Sequence, residues 1–311
     1  MSEVVKQEAV VITGPTRGLG FATALHLARV SPGTALLLLG REGSALDTTA
    51  ARVRSAGAAE VVAVPLDQAS LAAIRVAAED TRQILGDRQL TLTALVANVG
   101  VQASSTTATT RDGFEQTFGV NVLGTHLLVR LLEPVLAPGA RVVLVGSGTA
   151  EDRRRDGLVP IPRWEDPMTL AYPRSTEEAP TAAGRRAYST SKLATLYLAH
   201  EMSRHSAGRF TVDVYDPGML PGTGLARNAS LPQRIAWRAM APLARLIPGS
   251  STPARSGRVL AELALGRRGP NGDRYLSIDR DIDPTPTAFD TNREQRLWET
   301  AEQLTTATAP A

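Results

Sequence analysis

The feature that most constrains the fold is a regular alternation of short apolar runs with longer segments of helical periodicity. Apolar runs bounded by turn residues predict buried strands of the parallel type. Seven such runs are present: Ala9–Thr13, Ala35–Gly40, Val61–Leu66, Leu92–Ala97, Arg141–Val145, Thr211–Tyr215 and a run near Arg274–Ser277. Helical periodicity fills the segments between them: Leu19–Val30, Ala45–Ala56, Leu71–Leu85, Phe114–Leu132, about Arg185–His205 and Thr252–Leu265. The alternation predicts an α/β fold, a doubly wound parallel seven-stranded sheet in the order 3-2-1-4-5-6-7, within a single domain over 1–311.

Two long insertions interrupt this alternation, at about 151–184 and 220–249. Both follow the carboxyl end of a predicted strand, which is where open α/β sheets bind ligands. Because loops longer than about 12–15 residues are often functional in compact domains, we expect the insertions to form a substrate lid. The second insertion contains an amphipathic run, Leu231–Ile247. That run fits either a lid over an apolar substrate or a contact with a membrane surface.

The composition excludes several classes of protein and site. The 34 basic and 31 acidic residues leave a net charge of +3, with no basic block interleaved with aromatic residues, so no nucleic-acid partner is expected. A chain without cysteine has no disulfide, thiolate zinc site or iron–sulfur cluster. His200 and His205 lie five positions apart, off the shared helix face that a zinc pair needs, so no metal site is predicted. The longest aliphatic run, Ala35–Leu39, is too short to span a membrane, and Met1–Glu8 does not read as a signal peptide. We therefore expect a cytoplasmic protein.

A glycine-rich turn follows the first predicted strand and precedes a helix. It reads Thr13-Gly14-Pro15-Thr16-Arg17-Gly18-Leu19-Gly20. Glycines at this place let backbone N–H groups approach a pyrophosphate at the positive end of the helix. The spacing G-x-x-x-G-x-G differs from the common G-x-G-x-x-G, and no Gly-Lys-Ser/Thr follows as in a P-loop. The turn therefore predicts a dinucleotide site of a less common type.

The residues after the second strand bear on which dinucleotide binds. An acidic residue there usually holds the ribose hydroxyls of NAD, whereas an arginine suits the 2′-phosphate of NADP. Arg41 occupies this place, and Arg17 in the glycine-rich turn can reach the same group. We therefore expect NADP(H). Two alternatives remain: both arginines are ordinary surface residues, or Glu42 accepts a hydrogen bond from the ribose.

Tyr188 and Lys192 lie four positions apart on a predicted helix, so the phenol and the ammonium share one face. A neighbouring positive charge favours the phenolate and is expected to lower the pKa of the tyrosine toward neutrality. The chain has only two lysines, Lys6 and Lys192, among its 34 basic residues. A lysine retained at this spot indicates that a compact ammonium is needed there.

Further motifs follow in a characteristic order along the chain. They are Asn98-Val99-Gly100 after the fourth strand, Asn121 in the next helix, Ser147 after the fifth strand, the Tyr188/Lys192 pair, and Pro217-Gly218 after the sixth strand. With the glycine-rich turn, this series resembles the short-chain dehydrogenases/reductases over roughly 8–280. The resemblance implies a Rossmann fold. Val99, Ala97, Pro15 and Gly146 depart from the family's usual residues, but none removes a group that the chemistry needs.

The resemblance also implies a role for each matching residue. Tyr188 would be the general acid/base, and Ser147 would polarise the same substrate oxygen. Lys192 would lower the pKa of Tyr188 and bind the nicotinamide ribose, while Asn121 would hold a water that relays protons to Lys192. Asp67 would receive the adenine amino group. The full set implied to bind the cofactor is Gly14, Thr16, Arg17, Gly18, Leu19, Gly20, Arg41, Asp67, Gln68, Asn98, Gly100, Tyr188, Lys192, Pro217, Gly218, Met219 and Thr223.

Within the family, the chain is most similar to the retinol dehydrogenase and protochlorophyllide reductase branch and to bacterial ketoreductases of natural products. Ser147 and Tyr188 are 41 positions apart, and this long spacing is a feature of that branch. Protochlorophyllide reductases use cysteines near the site, which this chain lacks. We therefore expect NADPH-dependent reduction of a ketone or aldehyde on a hydrophobic small molecule, by a monomer or homodimer. The alternatives are an NADP-sensing regulatory protein on the same fold and a reductase of C=C bonds.

Overall fold

The computed structural model describes residues 6–151, 160–220, 249–268, 272 and 274–306. Its strands are β1 Glu8–Thr13, β2 Ala35–Gly40, β3 Val61–Pro65, β4 Thr91–Ala97, β5 Leu136–Val145, β6 Phe210–Asp216, β7 Tyr275–Ser277 and β8 Arg280–Asp281. Its α-helices are α1 Gly18–Val30, α2 Ser44–Ser55, α3 Leu71–Asp87, α4 Gln116–Phe118, α5 Gly124–Leu132, α6 Pro167–Ala171, α7 Pro180–Ser206, α8 Pro253–Ala264 and α9 Thr291–Thr306. Short 3₁₀ turns occur at Glu133–Val135, Gly148–Ala150 and Pro286–Ala288. No helix within these ranges is long and apolar enough to cross a membrane.

The strands form one sheet in the order β3-β2-β1-β4-β5-β6-β7-β8. The first seven are parallel, which confirms the predicted order. The predicted count of seven is one too few, because β8 turns back and pairs antiparallel with β7. Ile278 and Asp279 make this two-residue connection, with Ile278 at a φ of 59°. A strand of two residues carries no periodic signal, so it could not be recognised from the sequence.

Helices cover both faces of the sheet, which explains why its strands are almost wholly apolar. Every residue of β2 is buried. One face packs against α3, α5, α7 and α9, and the other against α1, α2 and α8. On this second face α8 approaches α1 so closely that a Cβ on Gly257 would lie 2.7 Å from the Cβ of Ala22. The close packing holds α1, and with it the glycine-rich turn, firmly against the sheet.

Helix α9 has no counterpart among the predicted helices, although Leu297, Trp298, Ala301 and Leu304 recur at helical spacing on its buried side. Three histidine side chains, one from α5 and two from α7, contact α9. The contacts are His126 Nε2 to Glu302 Oε1 at 2.9 Å, His200 Nδ1 to Glu294 Oε1 at 2.8 Å, and the His205 ring stacked on Trp298 with centroids 4.1 Å apart. The two histidines of the rejected zinc motif thus hold a helix in place. In the part of the chain that the structure describes, no group of three His, Cys, Asp or Glu side chains could hold a metal ion.

The helix predicted over Phe114–Leu132 begins at Gln116 in the structure and is not a continuous α-helix. Glu115 caps it, with its carboxylate accepting hydrogen bonds from the backbone N–H groups of Thr117 and Phe118. A π-helical turn over Gly119–Leu123 then separates α4 from α5. Such turns insert one residue into a helix and are frequent at functional sites. Asn121 lies in the middle of this one.

Candidate active site

The glycine-rich turn between β1 and α1 has two positions, Gly20 and Gly14, that favour glycine. A Cβ on Gly20 would lie 2.4 Å from the carbonyl oxygen of Gly14 and 2.6 Å from Nδ2 of Asn98. Gly14 has a φ of 64°, in the left-handed region that glycine favours. Asn98 Nδ2 donates to the carbonyl oxygens of Thr13 and Gly14, at 2.9 and 3.2 Å. The turn is therefore a rigid cradle built from β1, α1 and the end of β4.

The cradle has the electrostatics of an anion site. Helix α1 starts at Gly18, directly inside the turn, and has no acidic residue in its first turn. The amino end of a helix carries a partial positive charge and unpaired N–H groups, which suit a phosphate. Leu19 is buried, so only its backbone faces the turn, and Thr16 is half-buried. These features fit the pyrophosphate of a dinucleotide.

Arg17 and Arg41 lie where a ribose phosphate would be expected, and both are exposed. Pro15 links their loops, because a Cβ on Gly40 would lie only 3.3 Å from its Cδ. Within the described residues Arg41 has neither an ion pair nor a hydrogen bond, so its guanidinium is free to take a ligand.

Two neighbouring residues after β3 have different surroundings from each other. Asp67 is partly exposed and pairs with Arg111 at 3.1 Å, which leaves the carboxylate accessible to an adenine. Gln68 is buried, and its Nε2 donates to the carbonyl oxygen of Val120 and to Thr125 Oγ1, at 2.9 and 3.0 Å. The amide nitrogen of Gln68 thus ties the end of β3 to the π-helical turn and α5. The predicted contact of Gln68 with the cofactor stays a prediction.

The turn after β6 is held on several sides. Gly218 has a φ of 71°, and its N–H donates to Asp216 Oδ1 at 2.9 Å. Met219 exchanges backbone hydrogen bonds of 2.9 Å with Gly249 and Ser251, and its side chain is half-exposed. Pro217 accepts a hydrogen bond from the Ser256 hydroxyl of α8 at 2.9 Å. This rigid turn is consistent with a cover for the nicotinamide, and the predicted contact Thr223 lies outside the described residues.

Ser147, Tyr188 and Lys192 meet at the carboxyl end of β5. The Ser147 hydroxyl adjoins the phenol of Tyr188. Lys192 is buried, and its Nζ donates to the carbonyl oxygen of Val145 at 2.8 Å. The same ammonium lies 5.7 Å from the centroid of the Tyr188 ring. The structure thus brings together the three side chains of the predicted catalytic group, of which Tyr188 and Ser147 are expected to act on the substrate oxygen.

Burial sets the pKa of both ionisable groups. It raises the pKa of Tyr188 to about 12, although the nearby Ser147 hydroxyl acts in the opposite direction. It lowers the pKa of Lys192 to about 8. The shift of Tyr188 is opposite to the lowered pKa expected from the sequence, because removal of the phenol from water outweighs its favourable neighbours. A raised pKa keeps the phenol protonated at neutral pH and therefore able to donate a proton.

Asn121 positions the pair from the π-helical turn. Its Nδ2 donates to the carbonyl oxygen of Val101 at 2.9 Å and to Ser191 Oγ at 3.0 Å, and its Oδ1 accepts from the Val101 N–H at 2.8 Å. Ser191 in turn donates to the carbonyl oxygen of Tyr188 at 2.7 Å. A Cβ on Gly100 would lie 3.5 Å from Lys192 Nζ and 3.7 Å from Asn121 Oδ1, so both atoms face this glycine. Since both amide protons of Asn121 are used on protein atoms, only its oxygen is left to take part in a proton relay.

Two residues of the first insertion, Arg163 and Trp164, pack against α7. Arg163 N donates to Thr190 Oγ1 at 3.0 Å, and the Trp164 ring packs edge-on against Tyr197, with centroids 4.8 Å apart. Successive residues of an α-helix are about 100° apart, which places Thr190 and Tyr197 on the side of α7 opposite Tyr188. Arg163 and Trp164 therefore contact the side of α7 away from Tyr188. The role of the first insertion as a substrate lid stays a prediction. The second insertion, including Leu231–Ile247, lies outside the described residues.

Sequence reasoning missed one charged residue near the pair, Asp216. It ends β6, is 2% exposed, and raises the pKa of both Tyr188 and Lys192. Its position directly before Pro217-Gly218 was the available signal, because the carboxyl ends of parallel strands meet at one edge of the sheet.

Comparisons with known proteins agree with this geometry. A model of the family described as short chain dehydrogenase matches residues 8–158. Polyprenol dehydrogenase of Mus musculus is 33% identical over 313 residues, which cover 96% of this chain and 83% of that protein. Retinol dehydrogenase 14 of Homo sapiens is 28% identical, over 96% of this chain and 86% of that protein.

Two further matches come from bacteria. A protein of Streptomyces sp. (strain C5), provisionally named daunorubicin C-13 ketoreductase DnrU, is 37% identical over 67% of this chain and 64% of its own length. Among solved structures, the Pseudomonas aeruginosa RhlG/NADP active-site complex superposes with a TM-score of 0.64 at 22% identity, covering 88% of this chain and 96% of that one. The structural match supports the fold.

Proposed function

The chain belongs to the short-chain dehydrogenase/reductase family of oxidoreductases, and we propose that it is an NADPH-dependent reductase of ketones or aldehydes on hydrophobic small molecules. The observation that carries this proposal is the convergence of Ser147, Tyr188 and Lys192 at the end of β5. A protonated phenol, a hydroxyl and an ammonium meet there beside a cradle that fits a dinucleotide.

The residues of the chain have distinct roles in the proposed reaction. A nicotinamide cofactor, when bound, supplies the hydride. Negative charge then develops on the substrate oxygen, and Tyr188 gives it the phenolic proton while Ser147 stabilises it with a hydrogen bond. Lys192, anchored on Val145, supplies a fixed positive charge beside the phenol. In the reverse direction Tyr188 would accept the proton of an alcohol.

The preference for NADPH over NADH rests on Arg41 and Arg17. Both are exposed at the side of the cradle where β2 ends, and a 2′-phosphate would meet both guanidinium groups. Asp67, Asn98 and Gly100, together with the turn at Pro217–Met219, would complete the dinucleotide site.

Replacing Arg41 tests this cofactor preference. A charge-assisted hydrogen bond contributes about 1.5–3 kcal/mol. We therefore expect Arg41→Asp to weaken NADPH binding by about tenfold or more and to leave NADH binding unchanged. The measurement is the dissociation constant of each cofactor by fluorescence titration. Arg29→Asp is the matched control, because Arg29 is exposed at the far end of α1. Equal binding of both cofactors to the unmodified chain would contradict the preference.

The substrate class is supported by the relatives, whose names describe dehydrogenases of polyprenol and retinol and a ketoreductase of daunorubicin. We expect purified chain to oxidise NADPH when mixed with hydrophobic ketones or aldehydes, and to do so more slowly with NADH. A panel of aliphatic, aromatic and polycyclic carbonyl compounds, followed by NADPH absorbance, would check this expectation. Binding of NADPH without its oxidation by any compound would favour the alternative, a nucleotide-sensing protein.

A cytoplasmic location, a monomeric or homodimeric state, and a lid function for the two insertions remain predictions.

A further inference from the structure

The buried carboxylate of Asp216 has no part in the reaction described above. Its Oδ1 accepts the Gly218 N–H at 2.9 Å, and its Oδ2 accepts the Ser277 hydroxyl at 2.8 Å. Both donors are neutral, and Asp216 has no ion pair within the part of the chain that the structure describes. A carboxylate that is 2% exposed is costly unless a positive charge compensates it nearby.

The register of the sheet places Asp216 beside the catalytic pair. Val212 and Val214 face α7, and strand alternation puts Asp216 on the same side. Tyr215 lies opposite Val145 of β5, and the carbonyl oxygen of Val145 accepts the hydrogen bond from Lys192 Nζ. Asp216 therefore lies one residue beyond the level at which Lys192 is anchored, on the side of the sheet where the ammonium is.

The electrostatics agree with this placement. Burial lowers the pKa of Lys192 to about 8, and the negative charge of Asp216 acts in the opposite direction. Without that charge, a larger share of Lys192 would be neutral at working pH. The same charge also raises the pKa of Tyr188 and so favours the protonated phenol. Asp216 thus favours the protonated form of both members of the pair.

We propose that Asp216 is a positioning residue of the active site: its carboxylate is the counter-charge that keeps Lys192 as an ammonium, and it also fixes the turn after β6 through Gly218. This inference rests on the proposed function. Within the described residues, two further titratable groups lie near this end of the sheet: Tyr275 of β7, whose hydroxyl donates to the carbonyl oxygen of Ser147 at 3.2 Å, and the buried Glu151 after the turn at Gly148–Ala150. Residues 98–101 and the π-helical turn carry none.

The test is Asp216→Asn, which keeps an oxygen for the Gly218 N–H and removes the charge. Loss of a nearby negative charge eases the first deprotonation of the pair, whichever of the two groups gives up the proton. We therefore expect the fall of carbonyl reduction at high pH, and the rise of alcohol oxidation, to move to lower pH by roughly one unit. Asp213→Asn is the control: Asp213 is buried on the same strand, and its Oδ1 accepts the N–H groups of Gly272 and Arg274. Its pH profile should match that of the unmodified chain.

A second measurement does not depend on activity. The absorbance of the Tyr188 phenolate is obtained by subtracting the titration of Tyr188→Phe from that of the unmodified chain. The second pair of titrations compares Asp216→Asn with the double variant that carries both Asp216→Asn and Tyr188→Phe. The Tyr188 titration should also move to lower pH in the Asp216→Asn background, and Asp216→Ser repeats the test with a smaller neutral side chain. Coincident pH profiles and coincident phenolate titrations would overturn the role of Asp216. An inactive unmodified chain would instead contradict the proposed function, while the phenolate titration would still decide the role of Asp216.

Discussion

Tyr188→Phe should lower the turnover of the enzyme by about 10²–10⁴-fold, the contribution of a positioned general acid. The substitution removes a single oxygen atom, the phenolic oxygen beside Ser147. Because Lys192 and the cradle around Gly14 and Gly20 are untouched, the affinity for NADPH should barely change. The measurements are kcat with an accepted ketone and the NADPH dissociation constant, made on the same preparation.

Tyr197→Phe is the matched control on the same helix. Its hydroxyl donates to the carbonyl oxygen of Thr287, on the far side of α7 from the catalytic group, so turnover should persist. Lys192→Ala should impair both turnover and NADPH affinity, since the family role of this lysine includes ribose binding. If Tyr188→Phe keeps more than about a tenth of the turnover, the proton comes from another group and the assignment is wrong.

Gly20→Ala should weaken NADPH binding by about 100-fold. The added Cβ would lie 2.4 Å from the carbonyl oxygen of Gly14 and 2.6 Å from Asn98 Nδ2, distances that force the cradle to open. Overpacking of this kind costs about 3 kcal/mol at its upper range, and each 1.4 kcal/mol is about tenfold in affinity. The measurement is an NADPH titration, with circular dichroism to verify that the variant is folded.

Gly33→Ala makes the same chemical change at a place where it should have no effect. Gly33 lies between α1 and β2, and no heavy atom comes within 4 Å of the Cβ that alanine would add. This variant should bind NADPH as the unmodified chain does. Wild-type affinity in Gly20→Ala would show that the turn does not form the phosphate site.

The sheet could be predicted because its strands are buried on both faces. Each strand is then a nearly continuous apolar run, as in Leu36–Leu39. Turn residues separate one run from the next. The order of the parallel strands follows from the connections between them, and the structure confirms it. The motif residues Ser147, Tyr188 and Lys192 could be found because they follow strand ends or share one face of a helix.

The missed features depend on contacts between distant segments. Gln68 looks like a polar residue at a strand end, yet its amide is used by Val120 and Thr125, more than fifty positions away. The π-helical turn around Asn121 leaves no periodic trace over its five residues. The direction of the Tyr188 pKa shift depends on how deeply the phenol is buried, which local spacing does not reveal. Such features become visible only when the elements are packed together.

The most direct test of the proposed reaction is the transfer of deuterium from NADPH labelled at its hydride-donating carbon. After reaction with an accepted ketone, the product is analysed by mass spectrometry and NMR. We expect one deuterium on the carbon that bore the carbonyl oxygen, and a much lower rate of transfer in Tyr188→Phe. Deuterium at a carbon of a former C=C bond, or NADPH binding without transfer to any carbonyl compound, would contradict the proposed reaction.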